Sequence, residues 1–342
     1  MSLTITQVAK VAKVGRATAS DILNRGEAAR YSADTVKRVQ IVAKDLGYQP
    51  NYLASSLRSG KRMCIGVATG ANLSRAYDPF SALISEGIGE VADLKQYNIM
   101  QFPITAFKMH ERLTAASRGK MVDGLIFMVY SQHRERVLHN TIPILKEEKI
   151  PFVALYYSGT KPDFHQVDVN YYEAGKLATR HMLEQGYTDI MLVDLKKVYR
   201  DEFYQAYCHT MDEAGLKKRP CRIDTNVTNA QEALTTAEEI IKTHGRANAY
   251  IAYNDIMAFG IIEALNQQGI SVPEQAGVMG CGHYLNDFIL YSKLSTIDLK
   301  MRARGKMAAE ILFDEIENGQ GEKYQQVLIE PELIVRESSM KK

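Results

Sequence analysis

The chain has 342 residues, of which 46% are hydrophobic and 24% charged, values that are ordinary for a globular protein of two or three domains. The net charge of +2 is unevenly distributed. Residues 1–62 carry 11 Lys and Arg against 4 Asp and Glu, whereas the remaining residues carry 31 against 36. A basic head on an acidic body predicts that the head alone binds a polyanion. The start MSLTITQVAK has no apolar segment, and no apolar run is long enough to span a membrane, so we expect a cytoplasmic protein.

Three helices and no strands are predicted within residues 4–46. We expect the stretch TITQVAKVAKV to bury four residues: Val8, Ala9, Val11 and Ala12. We expect RATASDILN to leave four residues facing outward: Arg16, Ala17, Ser20 and Asp21. A third helix should follow Ser32 as its N-cap and end at Gly47. Small alanines let two helices cross closely, as a helix-turn-helix requires, although a plain three-helix cap is an equal alternative on this pattern alone.

From Met63 onward, short apolar runs alternate with amphipathic helical stretches. Seven runs are predicted as strands: MCIGVAT from Met63, NIMQFPI from Asn98, GLIFMVY from Gly124, IPFVALYY from Ile150, DIMLVDL from Asp189, AYIAY from Ala249 and AGVMGC from Ala276. Three stretches are predicted as helices: PFSALISEGIGEVADLKQ, NYYEAGKLATRHMLEQG and NDIMAFGIIEALNQQG. This alternation predicts parallel sheets covered on both faces. So many units favour two lobes, with a ligand cleft at the carboxyl ends of the strands.

The order of several motifs resembles the lactose-repressor/galactose-repressor (LacI/GalR) family over essentially the whole chain. They are TITQVAKVAKVGRATASDILN, YSADTVKRVQIVAKDLGYQPNYLASSLRSGK, IGVAT, VDGLIF, NDIMAFGIIEALNQQGISVPE and LIEPELIVRESS. The resemblance implies an α/β protein with an all-α helix-turn-helix headpiece and a two-lobed core of parallel sheets like that of periplasmic binding proteins. The expected divisions are residues 1–48 for the headpiece, 49–61 for a hinge helix and linker, and 62–342 for the effector-binding and dimerisation core.

The resemblance also implies a function. It predicts a nucleoid-associated, sequence-specific transcription regulator of a carbohydrate or related catabolic operon, controlled by a small ligand in the core cleft. A repressor is expected, with an activator as the alternative. The expected partners are double-stranded operator DNA with a pseudo-palindromic sequence, the effector and a second copy of the chain. No heptad repeat follows LIVRESS, so a dimer is expected rather than a tetramer. No cofactor or metal is implied.

The resemblance assigns DNA contacts to ten headpiece residues: Thr6, Gly15, Arg16, Ala17, Thr18, Ser20, Asp21, Asn24, Arg30 and Ser32. It assigns three more to the hinge: Asn51, Ala54 and Leu57. In the family, the hinge becomes helical on DNA and a leucine is wedged into the minor groove, and the match puts that wedge at Leu57.

Three headpiece positions depart from the family pattern. Asp21 stands where the family commonly has Arg, Gly15 where it has Ser, and Lys13 where it has the glycine of the turn. A carboxylate cannot bind guanine O6 and N7 but can accept a hydrogen bond from cytosine N4. We therefore expect Asp21 to face the bases and the preferred DNA sequence to differ from that of relatives with Arg.

The predicted ligand contacts depart further. They comprise eight residues: Phe80, Met128, Tyr156, Arg200, Phe203, Asn254, Gly282 and His283. The family's ligand-binding Arg falls on Phe203 and its Asp on Gly282, and only Asn254 keeps its residue type. These positions offer few polar partners for sugar hydroxyls. We expect a ligand bulkier or less polar than a free monosaccharide, or no small-molecule effector.

Two other classes of protein compete with this interpretation. An enzyme would need a nucleophile–base pair, and Cys281 and His283 in GCGH are neighbours in sequence without forming a recognisable dyad. The glycines of EGIGE follow no strand, no P-loop is present, and the histidines lack metal-ligand spacing, so we expect no enzymatic activity. A solute-binding protein would need a signal sequence and would lack the basic head.

Overall fold

The structure is a computed structural model that describes residues 3–24, 28–48, 61–68, 79–102, 109–128, 137–155, 163–195, 201–224, 227, 229–283, 293–319, 321 and 323–341. The chain divides into two compact units, residues 1–63 and 64–342. The predicted hinge, apart from its last residue, lies outside the described residues.

The first unit contains the three predicted helices, α1 (Ile5–Val11), α2 (Arg16–Asn24) and α3 (Ala33–Asp45). A capping box between Thr4 and Gln7 starts α1. The Ser32 hydroxyl accepts a hydrogen bond from the Thr35 backbone nitrogen at 3.3 Å, which confirms Ser32 as the N-cap of α3. Gly47, with φ of +67°, follows the end of α3 in the left-handed conformation that glycine tolerates best.

The three helices enclose a small apolar core. Its buried members are Ala9, Ala12, Ala19, Ile22 and Val39, and Val8 of α1 is also fully buried. The prediction that Val11 faces inward is wrong, because its side chain is 56% exposed. At 100° per residue, Val11 lies about 110° from the centre of the stripe that α1 buries. The alanines therefore allow the close helix crossing without Val11.

The first lobe of the second unit is built on a six-stranded parallel sheet with the order β11-β5-β4-β3-β1-β2. Its strands are β1 (Cys64–Ala68), β2 (Asn98–Gln101), β3 (Gly124–Met128), β4 (Phe152–Leu155), β5 (His165–Val169) and β11 (Gln326–Ile329). Four helices belong to it: α4 (Pro79–Leu94), α5 (Met109–Arg118), α6 (Ile142–Glu147) and α11 (Met301–Asn318).

The second lobe has a sheet of the order β12-β10-β9-β8-β6-β7, in which only β12 is antiparallel to its neighbour. Its strands are β6 (Ile190–Leu195), β7 (Arg219–Ile223), β8 (Ala249–Ala252), β9 (Gly277–Gly282), β10 (Ser295–Asp298) and β12 (Glu332–Ile334). Its helices are α7 (Tyr171–Glu184), α8 (Asp201–Glu213), α9 (Ala230–His244) and α10 (Asp255–Gln267). The predicted fold class, helical head and two parallel-sheet lobes, is confirmed.

The chain passes between the two sheets three times, after β5, β10 and β11. Polar contacts tie these connections together. The buried Arg304 guanidinium is 2.9 Å from the Asp168 carboxylate. The Lys300 ammonium bridges Asp298 and Glu332. The connections are therefore braced by charge pairs.

Candidate nucleic-acid interface and ligand cleft

The start of α2 is the exposed part of the second helix. Gly15, Arg16 and Ala17 are exposed, Thr18 is half-buried, and the first turn of α2 contains no acidic residue. Thr6 of α1 is also exposed. The outward orientation predicted for Arg16 and Ala17 therefore agrees with the structure. These short or cationic side chains leave the helix free to approach a polyanion closely.

The other half of α2 corrects the prediction. Ser20 and Asp21 were expected to face outward, but they are only 5% and 8% exposed. Four consecutive residues, 19–22, are buried, so a complete turn of α2 is enclosed on every side. The Tyr31 hydroxyl covers the side that the pattern left to solvent, and it donates a hydrogen bond to Asp21 Oδ2 at 2.7 Å.

The remaining predicted DNA contacts differ in how much of them the structure describes. Arg30 is exposed, and the Ser32 hydroxyl is engaged at the N-cap of α3. Asn24 ends α2, and its side chain lies outside the described residues, as do Asn51, Ala54 and Leu57 of the hinge. Lys13 adopts φ of +53°, so it keeps the left-handed turn of the glycine it replaces.

Sequence reasoning missed Arg38. Its guanidinium Nε donates to the Ala12 carbonyl oxygen at 3.1 Å, where α1 ends. A cation at a helix C-terminus is favourable because the last carbonyl groups have no partner within the helix. The spacing of 26 residues along the chain gave no local signal for this contact.

The predicted ligand residues lie near the carboxyl ends of strands or at helix starts. Met128 ends β3 and is 5% exposed, and Phe80 in the first turn of α4 packs against the same apolar cluster. Phe203 is also 5% exposed and belongs to the stripe that α8 turns toward the core, with Ala206 and Tyr207. The aromatic face expected to be open to a ligand is therefore covered by protein. Tyr156 and Arg200 lie outside the described residues.

Asn254 has a structural role at the start of α10. Its Oδ1 accepts a hydrogen bond from the Met257 backbone nitrogen at 2.6 Å, and its Nδ2 donates to the Val227 carbonyl oxygen at 3.3 Å. The neighbouring Tyr253 hydroxyl accepts from the Val227 backbone nitrogen at 2.6 Å. Burial raises the pKa of Tyr253 to about 12, so its hydroxyl stays protonated at neutral pH. Asn254 keeps only part of its hydrogen-bonding capacity for a ligand.

Gly282 and His283 both have positive φ at the end of β9, of +128° and +55°. The His283 Nε2 accepts a hydrogen bond from the Arg336 guanidinium at 3.1 Å. His283 also lines a cavity of about 380 Å³ at the start of α11, together with Leu83 of α4. Of the six predicted ligand residues that the structure describes, His283 alone lines this cavity. Of the three cationic side chains that line the cavity, Lys300 and Arg302 are paired with carboxylates, and Lys306 is the third.

The thiol of the GCGH motif lies in the core of the second lobe. Cys281 is 2% exposed within β9 and so is shielded from a substrate. Within the ranges that the structure describes, no group of three or more His, Cys, Asp or Glu is placed to hold a metal ion. In the same ranges, no helix has the length and apolar composition to cross a bilayer.

A helical DNA-binding head followed by a two-lobed α/β core defines a class of transcription regulators. Residues 4–51 match the family "Bacterial regulatory proteins, lacI family". Residues 179–339 match the family "Periplasmic binding protein-like domain". Residues 4–51 therefore form a DNA-binding domain of the lacI family, and residues 179–339 belong to a periplasmic binding protein-like domain. The protein is a DNA-binding transcriptional regulator with a core of the ligand-binding type.

Relatives support this assignment over the full length. The chain is 28% identical to the HTH-type transcriptional repressor PurR of Aliivibrio salmonicida and 25% identical to the ribose operon repressor of Haemophilus influenzae, covering 98% of both chains in each case. The fold is similar to that of the Lac repressor dimer bound to operator and the anti-inducer ONPF, with a TM-score of 0.80 and 20% identity over 99% of this chain and 100% of that one. It is also similar to the CelR–cellobiose complex, with a TM-score of 0.67 and 22% identity over 98% and 99%.

Proposed function

We propose that the protein is a homodimeric repressor whose two heads bind the halves of a pseudo-palindromic operator through the start of α2. The observation that carries the proposal is the exposed, acid-free first turn of α2 on a basic head. The relatives named as repressors support repression rather than activation of transcription. In this proposal, Leu57 is wedged into the minor groove at the centre of the operator.

The described residues offer an apolar surface for dimerisation on each lobe. On the first lobe, Ile99 of the edge strand β2 is 38% exposed, and Leu94 at the end of α4 is 83% exposed. On the second lobe, a groove of about 360 Å³ between α9 and α10 is lined by Leu234, Phe259 and Ile262. Two surfaces on different lobes would make the dimer contact sensitive to how the lobes are arranged, so an effector that biases that arrangement can change DNA affinity.

We propose an effector less polar than a free monosaccharide, or none. Phe203 and Met128 are covered by apolar neighbours, and Asn254 is engaged at a helix cap. A sugar hydroxyl left without a partner would cost about 1–3 kcal/mol. Among the matched positions that the structure describes, the polar groups left to it are those of His283, the remaining capacity of the Asn254 amide and the backbone.

DNA retardation tests the proposal directly. The full chain should select a pseudo-palindromic sequence, whereas a chain truncated to residues 61–342 should show no specific retardation. Protection of a single half-site without a repeat would contradict the symmetric arrangement. An enzyme or a solute-binding protein would show no specific binding to lose.

The dimer surfaces can be tested by sedimentation. Phe259→Glu or Ile99→Glu should shift the protein toward the monomer at micromolar concentration, because each places a charge in an apolar contact. Met340→Glu is a matched control, since Met340 is 48% exposed and lies outside both surfaces. A dimer unaffected by both variants would contradict the proposed surfaces.

Calorimetry against simple pentoses and hexoses tests the effector. Micromolar binding of an ordinary monosaccharide would contradict the proposal.

A further inference from the structure

We propose that Asp21 is a positioning residue, whose carboxylate is held by Tyr31 to fix the orientation of α2, and that the bases are contacted by the first turn of that helix. This inference rests on the proposed DNA recognition by α2 and names what sets its specificity.

The hydrogen bond between Tyr31 and Asp21 joins the end of α2 to the segment before α3 and does not involve the exposed first turn of α2. Tyr31 follows the short 3-10 helix Ala28–Arg30 and precedes α3. Its ring packs against the apolar core of the headpiece, while its hydroxyl donates to Asp21 Oδ2 at 2.7 Å. A hydrogen bond from a hydroxyl group to a carboxylate is shorter and stronger than a hydrogen bond between two neutral groups. The bond therefore fixes the end of α2 relative to the start of α3.

A second polar contact fixes the turn that precedes α2. Arg38 of α3 donates to the carbonyl oxygen of Ala12 at 3.1 Å, just before the turn that leads into α2. The segment from Tyr31 to Arg38 thus holds α2 near its end and the turn near its start. Helix orientation in a major groove about 12 Å wide decides which side chains reach base edges. The two contacts act on that orientation without touching DNA.

Burial argues against base contact by Asp21 itself. The side chain is 8% exposed and lies in an enclosed turn of α2, whereas Gly15, Arg16 and Ala17 are exposed one turn earlier. To accept a hydrogen bond from cytosine N4, the buried carboxylate would have to become exposed, where nearby phosphates would repel it. The exposed first turn needs no such rearrangement.

The two roles predict opposite results for Asp21→Asn. The amide Oδ1 still accepts the Tyr31 hydroxyl, so a positioning residue should keep the base preference of the wild type. A base-contacting carboxylate would change its preference, because Asn pairs with adenine N6 and N7 rather than with cytosine N4. Tyr31→Phe removes the hydroxyl and should lower the ratio of specific to random-DNA affinity about tenfold. Tyr31→Phe combined with Asp21→Ala should cost no more than Asp21→Ala alone.

The experiment is a selection from randomised operators with the full chain, followed by affinity measurements on the selected and random DNA. Asp45→Asn is the matched control for charge, because Asp45 is an exposed headpiece carboxylate at the end of α3. The expected result is one consensus for wild type, Asp21→Asn and Asp45→Asn, and a broadened consensus for Tyr31→Phe. Unfolding alone would weaken binding to every sequence equally and leave the consensus unchanged.

Two results would overturn the assignment. One is an adenine preference at a single half-site position in Asp21→Asn, and the other is an unchanged affinity ratio and consensus in Tyr31→Phe. Failure of the wild-type chain to select any sequence is a different result. It would overturn the proposed operator recognition and this assignment with it.

Discussion

Helices α4 and α11 approach each other through a pair of glycines, and this contact allows a sharp test of the packing of the first lobe. A Cβ atom on Gly87 of α4 would lie 2.0 Å from the Arg302 carbonyl oxygen and 2.8 Å from the Lys306 backbone nitrogen. A Cβ atom on Gly305 of α11 would lie 2.0 Å from the Ile84 carbonyl oxygen. All these obstacles are backbone atoms, so no side-chain rotation can relieve a substitution.

The expected magnitude for Gly87→Ala follows from two opposing terms. Alanine improves helix propensity by about 1 kcal/mol. To bring the 2.0 Å contact to an ordinary distance of 3.4 Å, the helices must separate by about 1.4 Å. A gap of that size removes much of the dispersion energy between residues such as Ile88 and Ala308, which are fully buried. We expect a net loss of about 2–3 kcal/mol in the free energy of unfolding.

Gly89→Ala is the matched control, because it makes the same change two residues along α4 with no atom within 4 Å of the new methyl group. It should gain about 0.5–1 kcal/mol from helix propensity alone. Urea unfolding followed by circular dichroism should therefore place Gly87→Ala below the wild type and Gly89→Ala above it. In a thermal scan, the melting temperature of Gly87→Ala should fall by about 5–10 °C. Equal stability of the two variants would refute the close backbone approach.

Three further predictions concern single side chains. Lys13→Gly should raise the free energy of unfolding of the headpiece by about 1 kcal/mol, because glycine tolerates the φ of +53° that lysine adopts there. A thermal melt measures this, and an unchanged melting temperature would contradict it. His181 is buried against the Ser339 hydroxyl at 2.6 Å, and burial lowers the pKa of His181. In the unfolded chain this imidazole binds a proton at a higher pH than in the folded protein, so wild-type stability should fall more steeply than that of His181→Gln as the pH drops below about 6.5. Identical pH profiles for the two proteins would contradict this. Arg16→Ala should cost about 1–3 kcal/mol on the operator and relax the preference at one base pair per half-site, whereas uniform weakening on all sequences would identify a phosphate contact instead.

The sequence by itself determined the helices of the head and most strands of the core. All seven predicted runs form strands, and six of them lie inside their sheets, where strands buried on both faces consist of continuous apolar residues. The head helices were equally predictable, since Ser32 at a cap and alanines at helical spacing are local signals.

Five strands escaped prediction. The interior strand β10 contains Ser295 and Thr296, which are polar yet buried, and β7, β11 and β12 lie at sheet edges with mixed polarity. The interior strand β5 carries His165, which is polar yet buried. Its Nδ1 accepts from the Gln325 backbone nitrogen at 3.1 Å, and its Nε2 donates to Glu315 at 3.0 Å. Partners 150 and 160 residues away satisfy this ring, so nothing near it in the sequence indicates a strand.

In the candidate site too, some features could be predicted from the local sequence and others depend on tertiary packing. The exposed first turn of α2 could be predicted, because periodicity alone places Arg16 and Ala17 on the outer face. The burial of Asp21 could not, because a carboxylate on a helix is ordinarily solvated, and its covering group, Tyr31, belongs to the next segment of the chain. Phe203 was likewise expected in the cleft, and α8 turns it into the core with Tyr207. Periodicity gives the orientation of a side chain around its own helix, whereas burial depends on which distant segment packs against it, and only the tertiary structure decides that.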